Sequence, residues 1–314
     1  MDILLGQVLR FVANPFEAGP DALRVEEAVV IDGGKIIAVG AADELRASYP
    51  QARTHEYGDR VISAGFIDAH VHYPQTAIIA SWGKRLIDWL DTYTFPEEMR
   101  FKDPAYATEI AARYFDLALA HGTTTMCSFS TIHPASVEAF FTQAQARNLR
   151  ALTGKTCMDR NAPEGLRDTA QSAYDDSKAL LTRWHGTDRL GYVITPRFSP
   201  TSTEDQLSAL GALWAEHPDC LMQTHLSEQT DEIEWVRGLF PQARDQVDRI
   251  ARVLVHDCAL VPGNRVLLRG GNSVAMALAW LAVVQAGLIA VATMPLLRAR
   301  ELGPILDKAR PDLL

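Results

Sequence analysis

Two short runs concentrate the side chains able to bind a metal and move protons. In Gly65-Phe66-Ile67-Asp68-Ala69-His70-Val71-His72 an apolar stretch ends in His-x-His. Alternate side chains of a strand share a face, so His70 and His72 point one way and Val71 the other. That makes two nitrogens of a tetrahedral zinc site at a strand's C-terminal end. The bland alternative is a pair of histidines on a polar rim. The second run is Gln223-Thr224-His225-Leu226-Ser227-Glu228. His225 offers a third imidazole, and Glu228 a carboxylate able to carry protons for a water that the metal activates. Glu228 also suits the first turn of a helix containing Glu232-Ile233-Glu234-Trp235-Val236, where a carboxylate favours the helix dipole. The two roles are compatible.

The elements that must position these groups follow an α/β grammar. Residues 1–60 carry short Val/Ile runs, and Val29-Val30-Ile31 and Ile36-Ile37-Ala38-Val39 flank Asp32-Gly33-Gly34-Lys35, which spells a β-hairpin. From residue 61, strands expected over 61–70, 123–129, 151–157, 190–195 and 221–225 alternate with helices expected over 104–121, 135–147, 169–184 and 203–217. Alternation of this kind builds a parallel sheet wrapped in helices. Five such units describe an incomplete TIM-type (β/α) barrel, because closure needs eight strands. The expected division is a small N-terminal β-segment (1–60), a partial hydrolase barrel (61–244) and a short α/β tail (245–314).

Composition narrows the classes. The chain has 314 residues, 47% hydrophobic and 22% charged, which is globular. A net charge of −9 gives no positive field to hold a phosphate backbone, so nucleic acid is not an expected partner. Cys127, Cys157, Cys220 and Cys258 are widely spaced and form neither a CxxC pair nor a disulfide framework, as in a reduced cytoplasmic protein. The opening Met-Asp-Ile-Leu-Leu lacks the basic region of a signal peptide, so export is not expected. Residues 274–292 carry no charge and reach membrane-spanning length. Seven alanines and a helix-ending Gly287 favour a buried helix followed by a strand, and no membrane is expected.

Residues 1 to about 244 resemble the guanine deaminases of the amidohydrolase superfamily. The resemblance is carried by Gly-Phe-Ile-Asp-Ala-His-Val-His-Tyr-Pro-Gln (65–75), Asp88-Trp89-Leu90 with Tyr93-Thr94-Phe95-Pro96-Glu97, Gly122-Thr123-Thr124-Thr125 and Gly154-Lys155-Thr156-Cys157-Met158-Asp159. Thr195-Pro196-Arg197-Phe198-Ser199 and the Thr-His-Leu-Ser-Glu run complete it. It implies zinc held by His70, His72 and His225, with Glu228 as proton shuttle. It also implies a small purine substrate contacted by Gln75, Arg197 and Phe198, hydrolysis of guanine to xanthine and ammonia, and a homodimer. Chemistry agrees. A guanidinium can clamp the purine carbonyl, an amide can pair with polar ring edges both ways, and a phenyl ring can stack on the π-face. Without the resemblance Arg197 reads equally as a surface ion pair and Phe198 as a core aromatic. Another amidohydrolase, acting on a different purine or a triazine, fits the Pro74-Gln75 and Pro196-Arg197-Phe198 segments less well. The His-x-Glu and Pro-Cys-x-x-Cys signature of the other zinc base deaminases is absent.

The chain departs from that family after residue 244. The Gly-Thr-Asp segment whose Asp completes the family's zinc site does not follow. Residues about 248 to 314 instead resemble an internal N-terminal stretch of an AMP-forming acyl-CoA ligase, through Asp248-Arg249-Ile250-Ala251-Arg252, Val261-Pro262-Gly263-Asn264-Arg265 and Trp280-Leu281-Ala282-Val283-Val284-Gln285-Ala286-Gly287. In that family the order is helix, Pro-Gly turn, strand, helix, strand. The resemblance therefore implies a fusion, with zinc held weakly and a catalytically silent remnant as the alternative to an active deaminase. His256 and Asp257 are the first candidates for a substitute ligand.

Overall fold

The computed structural model describes residues 1–83, 85–226, 228–270, 273–293 and 297–313. Ser227 of the second motif and residues 294–296 of the tail lie outside the described residues. The chain divides into two compact units. One comprises Met1–Met158, Ala162–Pro196 and Asp205–Gln223, the other Asp159–Asn161, Arg197–Glu204 and Thr224–Leu314.

The first unit opens with a four-stranded sheet of β1 (Asp2–Phe11), β2 (Leu23–Asp32), β3 (Lys35–Gly40) and β4 (Arg53–Ile62), ordered β3-β2-β1-β4. The hairpin expected from Asp-Gly-Gly-Lys joins β2 to β3. Gly33 and Gly34 have φ of +54° and +75°, the left-handed pair that a tight hairpin turn demands and that side chains resist. Ile3, Ala28, Val30 and Leu45 form a small core on this sheet.

A curled parallel half-barrel follows: β5 (Phe66–His72), β6 (Thr123–Phe129), β7 (Arg150–Gly154), β8 (Thr156–Cys157), β9 (Leu190–Pro196) and β10 (Leu221–Met222). The path runs β10-β9-β7-β6-β5, with β8 beside β9. Helices Pro104–Ala120, Pro134–Ala146, Ala170–Trp184 and Glu204–Glu216 lie between the strands in sequence, close to the expected ranges. Their starts are chemical. Asp103 accepts the Ala105 amide at 2.9 Å ahead of Pro104, and Thr169 with Ser172 forms a reciprocal capping box. An aromatic core of Tyr73, Phe101, Phe115, Phe140, Phe141 and Trp184 is part of the cluster that packs these helices and strands together. At Gly154 a Cβ would meet the Val193 carbonyl oxygen at 1.7 Å, so glycine is what lets β7 and β9 close up. Among the described residues β5 and β10 end the sheet, and Ile67 stays 72% exposed on β5.

Three strand expectations need correction. The run 151–157 breaks at Lys155 into β7 and β8, which pair with successive parts of β9. The run 61–70 is two strands: Val61 and Ile62 finish β4 in the N-terminal sheet, and the chain re-enters at Phe66, whose amide bonds the Gly122 carbonyl at 2.8 Å. Alternation of apolar residues continues across Ser63-Ala64-Gly65, so periodicity alone hides the break. The strand expected over 221–225 stops at Met222. Gln223 keeps one ladder bond, to the Ile194 carbonyl at 3.0 Å, and turns its side chain to other acceptors.

The second unit contains helices Thr230–Leu239 and Pro241–Arg252, a widened helical turn at Val253–Asp257, and a β-α-β element. This last is β11 (Arg265–Arg269), helix Val274–Gln285 and β12 (Ile289–Thr293), with the strands parallel. Val247, Ala251, Leu254, Leu260, Val266, Ala282 and Val283 form its core. The uncharged run 274–292 is thus a helix ended by Gly287 at φ +72° and a strand, and no described helix is long and apolar enough to cross a membrane.

Candidate active site

In the first unit, β5 delivers both histidines of the first motif at its C-terminal end. Their ring centroids are 5.4 Å apart. Phe129, fully buried at the end of β6, backs both rings, at 5.2 Å from His70 and stacked on His72 at 4.6 Å. Asp68 accepts the His70 amide at 3.2 Å, which stiffens the strand just before the pair. The following turn is anchored by Tyr73, whose hydroxyl donates to the Ser136 carbonyl at 2.6 Å, and it carries Gln75. Gln75 and His72 line one cavity of ≈ 340 Å³ together with Ile79, Trp89 and Tyr114. His70 lines another, of ≈ 350 Å³, on the sheet with Ile67, Met126, Leu152 and Gln223.

In the second unit, Arg197 and Phe198 are both buried, and Phe198 forms an isolated parallel bridge with His225. The Arg197 carbonyl accepts the His225 amide at 2.9 Å and lies 2.8 Å from His225 Nδ1. A carbonyl only accepts, so the proton sits on Nδ1 and the ring's lone pair on Nε2. A backbone contact of this kind fixes the tautomer and the orientation of an imidazole ring. Glu228 is exposed one residue before the N-cap Gln229, and its amide donates to Glu232 at 2.8 Å. It precedes the helix where the sequence suggested its first turn. His256 lines a separate cavity of ≈ 300 Å³ with Asp248, Arg252 and Gln285.

The structure thus brings His70 and His72 together in one unit, with Gln75 on the same turn as His72. In the other it brings together Arg197, Phe198 and His225. Sequence reasoning passed over two groups in the first unit. Gln223 donates to the Ser128 carbonyl and to Thr195 Oγ1, both at 3.1 Å, and so ties the ends of β6, β9 and β10; its only signal was its place in the histidine motif. Lys155, 1% exposed, pairs with Asp168, which also accepts the Gln206 amide at 2.6 Å. Burial alone would lower the Lys155 pKa, but negative charge on the neighbouring Cys157 sulfur and the Asp168 carboxylate outweighs it as the lysine titrates, and the net shift is upward. A third cluster, His185, Asp219 and Cys220, has the residue types of a metal site. His185 is already committed there, since Nδ1 accepts the Tyr192 amide at 3.1 Å, leaving Nε2 to donate to Asp219.

Comparison with known proteins shows the family of the chain. Residues 61–292 match the amidohydrolase family, and residues 28–52 match an imidazolonepropionase-like composite domain of bacteria. The chain belongs to the amidohydrolase family, and its half-barrel has that family's fold. It is 41% identical to the guanine deaminase of Escherichia coli over 243 residues, 77% of this chain and 55% of that one. It is also 41% identical to a probable guanine deaminase of Deinococcus radiodurans over 259 residues, 80% of this chain and 59% of that one. Among solved structures, the guanine deaminase of Bradyrhizobium japonicum superposes with a TM-score of 0.74 at 37% identity, covering 76% of this chain and 53% of that one. The chain therefore spans little more than half the length of these relatives.

Proposed function

We propose that this chain is a zinc-dependent guanine deaminase, converting guanine and water to xanthine and ammonia. Support comes from the 41% identity to guanine deaminases over 77% and 80% of the chain, and from the amidohydrolase match over residues 61–292, which include the candidate residues. The structural observation that carries it is the Arg197 carbonyl on His225 Nδ1. The donor set fits zinc: His70, His72 and His225 are three imidazoles, the type borderline-soft zinc prefers, and His225 already has the outer contact such a ligand needs. When bound there, zinc would supply Lewis-acid activation of water at neutral pH. Arg197 would grip the purine carbonyl, Gln75 pair with polar ring edges and Phe198 stack on the ring. Glu228 would carry one proton of the attacking water to the ring nitrogen and then the second, from the newly formed hydroxyl, to the departing amine.

The same reading makes the protein a cytoplasmic homodimer with a small-molecule purine substrate and no nucleic-acid or membrane partner. It keeps the organisation into segment 1–60, partial barrel 61–244 and tail 245–314. For the tail, the order of helix, Pro-Gly turn, strand, helix and strand supports the ligase-like reading, although the family match continues to residue 292. Sequencing the gene across codons 240–250 tests the fusion, which an uninterrupted deaminase reading frame would refute. The second reading, a silent remnant, is favoured by β5 and β10 ending the sheet among the described residues. Titration of zinc-loaded protein with xanthine, the product, tests the site itself. Saturable binding lost in Arg197→Met supports it, and no binding refutes it.

A further inference from the structure

Asp159, Arg160 and Asn161 grip the turn that follows Arg197 and Phe198. The Asp159 carboxylate accepts the Thr203 amide at 2.7 Å and also the Thr203 hydroxyl. The Asp159 and Arg160 amides donate to the Thr201 carbonyl at 2.9 and 3.3 Å. Arg160 Nη2 donates to the Ser199 carbonyl at 3.0 Å, and Asn161 Nδ2 to the Pro200 carbonyl at 2.8 Å. Every carbonyl of this turn from Ser199 to Thr201 is therefore held by the three-residue segment.

The grip continues inward. The Thr201 amide and hydroxyl donate back to the Phe198 carbonyl at 3.1 and 3.2 Å. Phe198 bridges to His225, and the Arg197 carbonyl takes the His225 amide, its Nδ1 and the Thr224 hydroxyl, the last at 3.3 Å. One carbonyl has two lone pairs, so three converging donors fix the Arg197–Phe198 peptide plane within narrow limits. Tilting that plane would move the acceptor away from the Nδ1 proton and swing the imidazole. Thr201 and Ser202 are fully buried, so water does not replace a lost bond there.

We propose that Asp159 is a positioning residue: through Thr203 and Thr201 it sets the Arg197–Phe198 peptide, and thereby fixes the purine contacts and the orientation of His225 together. This deepens the deaminase reading and rests on it. The carboxylate is the natural anchor because it only accepts and meets both Thr203 donors at once, as charge-assisted bonds.

The test uses the full chain in two measurements. One is hydrogen exchange of the His225 Nδ1 proton, followed by NMR on metal-free protein with ¹⁵N-labelled histidine. The other is the Kd for xanthine of zinc-loaded protein. Asp159→Ala is expected to speed the exchange and weaken xanthine each about tenfold, comparable to one net hydrogen bond to a charged acceptor. Asp159→Asn, which keeps an acceptor for the Thr203 amide, is expected to fall between. Asp103→Ala is the control, since it removes the same kind of bond, to the Ala105 amide at 2.9 Å, in the other unit. It is expected to change neither readout. Should Asp159→Ala not fold, Asp159→Asn and Thr203→Val carry the comparison. Unchanged exchange in the Asp159 and Thr203 variants, or an equal change in Asp103→Ala, overturns the proposal. Absence of xanthine binding in the parent protein refutes the deaminase reading alone, and the exchange rates still decide the coupling.

Discussion

Breaking the Lys155–Asp168 pair should be among the costliest single changes outside the aromatic core. Both side chains are buried, at 1% and 6% exposure, and Asp168 holds a second bond from Gln206 at 2.6 Å. Asp168→Ala would strand an ammonium with no water to solvate it, for which about 3–5 kcal/mol is expected, or roughly two to four powers of ten in the unfolding equilibrium. Lys155→Met would strand the carboxylate, which keeps the Gln206 bond but loses its counter-charge, at similar cost. Replacing both at once, Lys155→Met with Asp168→Leu, removes the charges together and should be far milder than either single change. The upward pKa shift of Lys155 gives a sign check. Its stabilisation is fully present below the ordinary lysine pKa and is lost only as pH rises through the still higher folded value, so what the pair contributes to the parent protein should not vary between pH 6 and 8. Urea unfolding followed by tryptophan fluorescence at both pH values measures all of this. A loss under about 1 kcal/mol for Asp168→Ala, or a double variant less stable than both singles, would refute the reasoning.

The remaining predictions concern packing, thiols and metal. Gly154→Ala would drive a Cβ into the Val193 carbonyl at 1.7 Å and should destabilise by about 2–4 kcal/mol, read by the same unfolding assay. Burial pushes the thiols of Cys127, Cys157 and Cys220 up to about 11, so each stays protonated and unreactive at pH 8, while Cys258 is exposed. Iodoacetamide at pH 8 should therefore label Cys258 in the native protein and the other three only after denaturation, as mass spectrometry of the digested protein would report. His72→Ala should weaken zinc at least about a hundredfold in competition with a chromophoric chelator, whereas His185→Ala, whose ring bonds Tyr192 and Asp219, should leave zinc affinity unchanged.

What the sequence disclosed and what it hid have physical causes. Two of the four long helices were legible because their starts carry capping chemistry: Asp103 before Pro104, and Thr169 with Ser172. The β2–β3 hairpin was legible because two glycines in succession fit one turn. His70 and His72 share a face through the two-residue strand period, which reads directly from spacing. The Lys155–Asp168 pair was not legible, since it joins residues 13 apart with no periodic relation, and only burial gives it weight. Nor was the capture of His225 by the Arg197 carbonyl, because a backbone acceptor leaves no mark in residue type. Truncation of the strand at Met222 follows from Gln223, whose side-chain amide finds acceptors at the ends of two neighbouring strands, β6 and β9.

Whether these residues deaminate guanine is measured directly by xanthine formation, followed by ultraviolet absorbance. Purified, zinc-loaded protein is predicted to form xanthine and ammonia from guanine, to leave adenine untouched, and to lose the activity in both Glu228→Gln and His70→Ala. No xanthine from guanine, or turnover that survives both substitutions, would contradict it.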